Sequence, residues 1–183
     1  GIGSGFRAPR PAGPPVPAPP PPPPPPPWIR VPGTRFIVDG FQGFGKSHSG
    51  WCKNWFLTHF HADHYKGLTK SVPGPGCLIW CSRPTARLVS LRLGVHRDRL
   101  RAVDVGRTFT VDGVSVTFVD ANHCPGAVMI IFDNIPGGNG DGAPGPVLAT
   151  GDCRYHPGMR DEPALQALAL RRPALMLDTT YCA

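Results

Sequence analysis

Residues 59–64 have the sequence His-Phe-His-Ala-Asp-His, which places four potential metal ligands within six positions, directly after an apolar run at 54–58. In an extended chain the side chains alternate, so His59 and His61 point the same way, whereas Asp63 and His64 face a second point nearby. Imidazole and carboxylate ligands together suit zinc and similar divalent ions. The pattern therefore predicts a metal site, with neighbouring positions for one or two ions.

Such a cluster needs ligands from other parts of the chain, and two later segments offer them. His123 follows a predicted strand at 114–119, and Asp152 follows a predicted strand at 147–150. Both residues come where a strand ends, as His59 does. We therefore expect these three side chains to meet at one edge of a β-structure.

The other histidines and the cysteines beside these ligands are expected to have ordinary structural roles. Adjacent side chains in an extended segment point apart, so the thiols of Cys124 and Cys153 are predicted to be buried rather than to share their neighbours' metal. The remaining histidines are predicted to be exposed: His48, His96 and His156.

The elements that must position these side chains are mostly strands. Apolar runs predict strands at 35–39, 54–58, 77–81, 108–111, 114–119, 127–132, 147–150 and 174–177. Asp112-Gly113 is typical of a two-residue hairpin turn. Helices are predicted at 64–69, at 83–93 between a Ser82 cap and Gly94, and at 163–170. Hairpins without strict β-α alternation favour a mixed sheet or a sandwich flanked by helices.

The composition divides the chain into a tail and one domain. Of the 25 prolines in 183 residues, 14 lie in residues 1–27, which we expect to be disordered or polyproline II. The nine consecutive prolines at 19–27 indicate a spacer or, less favoured, a docking site for a proline-binding module. Residues 28–183 are long enough for one domain with a core. No run approaches 18 apolar residues, so no transmembrane helix is predicted, and the net charge of +7 suits a polyanionic partner.

Five motifs occur in a fixed order: FIVDGF, FLTHFHADHYKGL, DANHCPGAVMI, TGDCRY and LDTTYC. In this combination the chain resembles the DNA cross-link repair 5′ exonucleases, the Artemis/Apollo-like β-CASP branch of the metallo-β-lactamase superfamily. The resemblance implies an α/β (α+β) fold, the metallo-β-lactamase αβ/βα sandwich, in residues 28–183. It also implies that the domain is incomplete, because a β-CASP cap would follow Ala183.

The resemblance assigns a role to each matching residue. It implies that His59, His61 and His123 hold one ion, that Asp63 and His64 hold the other, and that Asp152 bridges both. Asp39 would support the site, and Asp178 would orient a ligand histidine. Asp63, Asp152 and Asp178 are thus the candidate catalytic residues. The implied cofactor is Zn²⁺, with one or two ions bound and with Mg²⁺ or Mn²⁺ as alternatives at the second position. That position is expected to lack a ligand that the cap would supply, and Cys153 stands where the family usually has an aromatic residue.

The implied function is 5′→3′ DNA exonuclease activity in interstrand cross-link and double-strand-break repair, in the nucleus. A hydroxide between two ions would attack the phosphodiester bond. Arg83, Arg87 and Arg92, in the basic stretch 83–107, are weak candidates for DNA contacts, balanced against a solvated helix face. The alternatives are an RNA-processing β-CASP endonuclease and a non-catalytic metal-binding fragment.

A competing motif lies at 40–47, where GFQGFGKS satisfies the P-loop pattern directly after a predicted strand. An apolar strand at 116–120 could supply the magnesium-binding aspartate of such a site. A P-loop needs a helix after Lys46, yet the next strand is predicted to begin at Asn54, and that gap is too short for a helical crossover. The motif is therefore interpreted as a coincidental glycine-rich turn.

Overall fold

The computed structural model describes residues 24–43, 48–136 and 145–178, which form two sheets. All neighbours in the first sheet are parallel, and its order along the sheet is β1 (Phe36–Val38), β2 (Asn54–Phe56), β3 (Leu78–Ser82) and β4 (Leu100–Val103). The second sheet contains, in order, β5 (Thr108–Val111), β6 (Val114–Asp120), β7 (Val128–Asp133), β8 (Val147–Ala149) and β9 (Ala174–Met176). Its neighbours are antiparallel except β8 and β9, which are parallel.

Three helices accompany the sheets: α1 (Ala62–Tyr65), α2 (Arg83–Leu93) and α3 (Pro163–Ala169). The limits of α2 follow from its sequence. The Ser82 hydroxyl accepts a hydrogen bond from the Thr85 backbone N–H, and Gly94 ends the helix with a left-handed φ of 66°. Short 3₁₀ turns lie at Pro27–Ile29, Arg97–Arg99 and Pro157–Asp161.

The apolar residues separate into three groups that define four layers. Phe36 and Phe56 of the first sheet meet Phe132 of the second, with Phe56 and Phe132 edge to face at 4.9 Å between ring centroids. The outer face of the first sheet packs under α2, and the outer face of the second packs under α3 through Leu168. The order is therefore helix, sheet, sheet, helix, and the predicted sandwich is confirmed.

Several local predictions are also confirmed. Asp112 and Gly113 both have positive φ, 46° and 83°, as the hairpin between β5 and β6 requires. The predicted strands and the helices at 83–93 and 163–170 are present with boundaries that differ from the predictions by at most two residues. At the amino terminus, Pro25 is buried and the first 3₁₀ turn starts at Pro27, so contacts with the domain begin before Trp28. Most of the proline run, with the proposed docking site at 19–27, lies outside the described residues.

Two elements of the fold differ from what the sequence indicated. The helix expected at 64–69 is the single turn α1, because the chain turns away at Lys66 and Gly67, where φ is +92°. Strand β4 was missed, because it is an edge strand whose middle residues Arg101 and Ala102 are exposed and give no apolar run.

The P-loop alternative finds no support in the architecture. Residues 44–47 lie outside the described part of the chain, and the described remainder of the 39–53 connection contains no helix. Strand β6, which carries Asp120, lies in the other sheet from β1. Within the described residues no helix is both long and apolar enough to cross a bilayer.

Candidate metal centre

The ends of five strands lie along one edge of the sandwich. In the first sheet β1 and β2 are parallel, and in the second β6, β8 and β9 run in the same direction. Each of these strands is followed by a polar residue of interest: Asp39, His59, His123, Asp152 and Asp178. The Val128 N–H donates to the Thr58 carbonyl at 3.0 Å and joins the two sheets beside these residues.

One group of four side chains brings its ligand atoms to a common point. His61 Nδ1 lies 3.0 Å from His59 Nε2 and 3.0 Å from His123 Nε2. Asp152 Oδ2 lies 3.6 Å from His59 Nε2 and 3.4 Å from His123 Nε2. In a tetrahedron with zinc–nitrogen bonds of 2.0–2.1 Å the ligand atoms are about 3.3 Å apart. The group therefore has the size of a tetrahedral zinc-like site. We call it the first donor set.

A second group shares Asp152 with the first. His64 Nε2 lies 3.0 Å from Asp152 Oδ1 and 3.8 Å from Asp63 Oδ2. Asp178 Oδ2 is also 3.8 Å from His64 Nε2. Asp63, His64 and Asp152 form this second donor set. The structure thus brings all six predicted ligands together in two overlapping groups. It also places Asp178 beside the ligand nitrogen of His64.

The chemistry of Asp152 fits a cation between the two sets. Its Oδ1 atom is buried and has no hydrogen-bond partner among the described residues, although His64 Nε2 is only 3.0 Å away. The two atoms thus approach without hydrogen-bond geometry, as two ligands of one ion would. A buried carboxylate oxygen without a hydrogen bond is costly, and a divalent ion would satisfy it. The cluster is accordingly a divalent-metal site.

Thr58, which the sequence analysis missed, and Asp39 together orient the rings of His59 and His64. Thr58 Oγ1 lies 2.6 Å from Asp39 Oδ2 and 3.0 Å from His59 Nδ1. The hydroxyl has one hydrogen and the carboxylate only accepts, so Thr58 donates to Asp39 and His59 Nδ1–H donates to Thr58. Asp39 Oδ2 also accepts from His64 Nδ1 at 2.7 Å. His59 therefore keeps an Nε2 lone pair for metal, and His64 presents Nε2 to the second donor set, where it can bind metal once that nitrogen has lost its proton.

The electrostatic surroundings of these two histidines differ. Burial, together with the neighbouring His64, lowers the pKa of His59 to about 4, so its imidazole is neutral and able to bind metal. Burial also opposes the charged form of His64, but the hydrogen bond that its Nδ1–H donates to Asp39 and the charges of Asp39, Asp152 and Asp63 outweigh it and raise its pKa to about 9. The second donor set therefore lies where a positive charge is stabilised.

Close backbone contacts hold the loops that carry the ligands from the second sheet. Gly126, with φ of +87°, lies so close to α2 that an added Cβ would be 2.7 Å from Pro84 Cβ. Its carbonyl accepts a hydrogen bond of 2.5 Å from Ser82 Oγ, the same hydroxyl that caps α2. Gly151, with φ of +49°, would bring a Cβ within 2.9 Å of Thr58. Both positions require glycine, and both set the placement of a neighbouring ligand, His123 or Asp152.

The remaining sequence-predicted residues have mixed outcomes. Cys124 and Cys153 are half-buried, and burial raises the pKa of each thiol. His96 and His156 are exposed as predicted, whereas His48 is only 5% exposed, so that expectation was wrong. The reason is that His48 begins a turn in which its carbonyl accepts hydrogen bonds from the backbone N–H groups of Trp51 and Cys52. This turn leads into the buried Cys52.

The predicted DNA-binding arginines lie on α2. Arg83 pairs with Asp104 through two of its guanidinium nitrogens, Nε and Nη2. Arg87 and Arg92 are exposed.

Comparison with known proteins gives consistent relatives. The chain is 41% identical over 153 residues to the DNA cross-link repair 1A protein of Gallus gallus, which covers 84% of this chain and 14% of that protein. It is 42% identical over 154 residues to the DNA cross-link repair protein SNM1 of Arabidopsis thaliana, covering 84% and 29%. The 5′ exonuclease Apollo of Gallus gallus is 40% identical over 153 residues, covering 83% and 30%.

The chain is a homologue of the DNA cross-link repair proteins. The resemblance indicated by the five motifs is thereby confirmed. The chain spans less than a third of the length of each of these relatives. No protein-family model matches it.

The described residues form a four-layer αβ/βα sandwich, with the ligand sets at the strand ends. Among solved structures, the Rm3 metallo-β-lactamase aligns with a TM-score of 0.43 and 19% identity, covering 56% of this chain and 42% of that one.

Proposed function

We propose that the protein is a metal-dependent 5′→3′ DNA exonuclease that hydrolyses phosphodiester bonds in interstrand cross-link and double-strand-break repair, and that it acts in the nucleus. The observation that carries the proposal is the pair of donor sets that share the buried carboxylate of Asp152. Two neighbouring cation positions suit phosphoryl chemistry, in which attacking and leaving oxygens both need stabilisation. The names of the relatives, cross-link repair protein and 5′ exonuclease, support DNA as the substrate.

The proposed ligands divide according to the two sets. His59, His61 and His123 would hold the first ion, Asp63 and His64 the second, and Asp152 both. We propose Zn²⁺ for the first set, because the spacing of its donors suits short bonds to nitrogen, with Zn²⁺, Mg²⁺ or Mn²⁺ in the second. Bound metal supplies Lewis-acid activation of water and of the phosphate oxygens.

The chain's own carboxylates then have distinct proposed roles. The side chain of Asp63 is 59% exposed, so solvent reaches it and it is suited to take a proton from the attacking water. The side chain of Asp152 is 2% exposed and acts by fixing the distance between the two sets. Asp39 orients His64 by accepting a hydrogen bond from Nδ1, the ring nitrogen that does not face the second donor set. Asp178, 27% exposed, lies on the ligand side of His64 and would complete the second set or hold the water beside it.

Contacts with the DNA backbone are proposed for α2. Arg87 and Arg92 are exposed and available to phosphate oxygens, whereas Arg83 would have to exchange Asp104 for a phosphate.

The test uses the natural full-length protein that contains this sequence. Asp152→Asn removes one negative charge from between two cation positions, and an amide is a poorer ligand, so hydrolysis should fall by orders of magnitude with the fold intact. The matched control is Asp161→Asn, an exposed carboxylate on the 3₁₀ turn at Pro157–Asp161. The readout is mononucleotide release from 5′-phosphorylated single-stranded DNA, with RNA of the same sequence assayed in parallel and metal content determined by elemental analysis.

Each alternative has its own result in this assay. Degradation of RNA but not of DNA would replace the proposal with RNA-processing endonuclease activity. Tight metal binding without hydrolysis of either nucleic acid would make the protein a non-catalytic metal-binding module. Wild-type rates in Asp152→Asn would contradict the two-metal mechanism.

A further inference from the structure

A cavity of about 510 Å³ opens beside the second donor set. Its polar lining consists of Asp39, Asp63, His64 and Asp178. Its apolar lining includes Trp28, Ile29, Val38, Met176 and Leu177. The volume lies in the range of small-molecule sites. The cavity therefore joins a cation position to an aromatic and aliphatic surface.

Trp28 is the distinctive member of the apolar lining, because 73% of it is exposed. The other tryptophans, Trp51, Trp55 and Trp80, are buried or half-buried. Indole rings carry a large apolar surface and are seldom left in water without a use. Trp28 therefore contributes little to the core and is available to a ligand.

The turn that carries Trp28 is fixed relative to the metal centre. The Arg30 N–H donates to the Pro27 carbonyl at 3.2 Å, and the fully buried Val31 donates to the Phe36 carbonyl at 3.1 Å. Ile29 packs against the backbone of Gly40, where an added Cβ would lie 2.6 Å from Ile29 Cδ1. Since Gly40 directly follows Asp39, the position of the indole is tied to the position of the carboxylate that orients His64.

We propose that Trp28 is a stacking platform for one nucleobase of the DNA substrate, namely the base of a nucleotide whose phosphate reaches the metal centre. This inference rests on the proposed nuclease function. A nucleotide joins an anionic phosphate to a planar base through a sugar, and this cavity joins a cation position to an indole. The carboxylates around His64 repel a phosphate unless metal is bound, so the stacking contact supplies the part of the affinity that does not depend on metal.

The test measures binding, not turnover, with the zinc-loaded protein and a 5′-phosphorylated phosphorothioate oligonucleotide labelled at its 3′ end. Loss of one base–aromatic stack corresponds to about 5- to 150-fold weaker binding, so Trp28→Ala should raise the Kd by a factor in that range. Trp28→Phe keeps an aromatic face and should stay within about threefold of wild type. Leu170→Ala, which removes an 89% exposed side chain at the C-terminal end of α3, is the control and should bind normally.

Two further oligonucleotides complete a double-mutant cycle. One has an abasic residue at the first 5′ position, and the other has it at the second. At the stacked position the abasic residue should weaken wild-type binding by the same factor as Trp28→Ala, and should not weaken Trp28→Ala further. Because stacking does not depend on base identity, the four homopolymers should be affected alike.

The outcomes separate the two proposals. If the wild-type protein does not bind DNA at all, the nuclease proposal fails. If the wild-type protein binds DNA but Trp28→Ala binds equally well, the stacking inference is overturned while the nuclease proposal stands. The same conclusion follows if the loss of affinity from Trp28→Ala and the loss from the abasic residue are independent at both abasic positions. Zinc content is measured in every variant, and a loss of zinc from Trp28→Ala that accounts for its weaker binding would also overturn the inference.

Discussion

The hydroxyl of Thr58 contacts both His59 of the first donor set and Asp39, which holds His64 of the second, so its removal gives a sharp test of the site. Thr58→Val keeps the size and branching of the side chain, which matters because Thr58 is 1% exposed and packs against Gly151. The substitution removes the hydrogen bond to Asp39 and the acceptor for His59 Nδ1–H. We therefore expect both ions to bind more weakly.

The magnitude follows from what each partner retains. A hydrogen bond to a charged group contributes about 1.5–3 kcal/mol, which corresponds to roughly 10- to 150-fold in affinity. Asp39 keeps the Thr58 backbone N–H at 2.9 Å and His64 Nδ1 at 2.7 Å, so its loss is partial. His59 Nδ1–H loses its only partner among the contacts of the described site. A decrease of about 10- to 100-fold in zinc affinity is expected, as for other changes behind metal ligands.

The assay is a zinc competition titration against a chelator of known affinity, with thermal unfolding measured in parallel. Thr58→Ser keeps the hydroxyl and should stay within about threefold of wild type. Thr117→Val, which removes the hydroxyl paired with Thr108 on the second sheet, controls for general loss of stability. If Thr58→Val binds zinc as tightly as wild type and is destabilised no differently from Thr117→Val, the hydroxyl does not orient the ligands and the reasoning is refuted.

Two further predictions concern the loops and the core. Gly126→Ala should displace the 123–126 loop from Ser82 and Pro84 and reduce zinc affinity by about tenfold or more in the same titration. The control is Gly113→Ala, which is also strained at a positive φ but lies in the hairpin between β5 and β6, and it should leave zinc affinity unchanged. Burial raises the pKa of Cys81 to about 12 from 9.0, so the unfolded chain ionises first and this thiol's contribution to stability should decline as pH rises from 9 to 12. Alkylation mapped by mass spectrometry at pH 8 should label Cys81 only under denaturing conditions, and labelling in the native protein would contradict its burial.

The residues of the centre could be predicted from the sequence because their signals are local. Four potential ligands within 59–64 leave few alternatives to metal binding, and His123 and Asp152 each follow an apolar strand. The hairpin at Asp112 depends on two adjacent residues that both tolerate positive φ. Each of these features depends on a few neighbouring residues, so no tertiary information was needed to predict it.

The features that were missed depend on contacts between distant segments. Thr58 gains its role only when β1 brings Asp39 alongside β2, 19 positions apart in sequence. His48 has no sequence neighbour that marks it as buried. Trp28 next to a proline run gives the same pattern whether it faces solvent or a cavity. A sequence alone shows which side chains could bind, but the register between strands decides which of them meet.

The division of the ligands between the sheets ties metal binding to the folding of the whole sandwich. His59 and His64 follow a strand of the first sheet, and His123 and Asp152 follow strands of the second. Neither sheet alone presents a complete donor set, so an ion binds tightly only when the two sheets are docked through the core that contains Phe56. A ligand that binds only the folded state, at a free concentration of about 1,000 times its Kd, stabilises that state by about 4.1 kcal/mol. That is a large share of the stability of a domain of this size. Weakening the core between the sheets should therefore loosen the metal, and removing the metal should loosen the core.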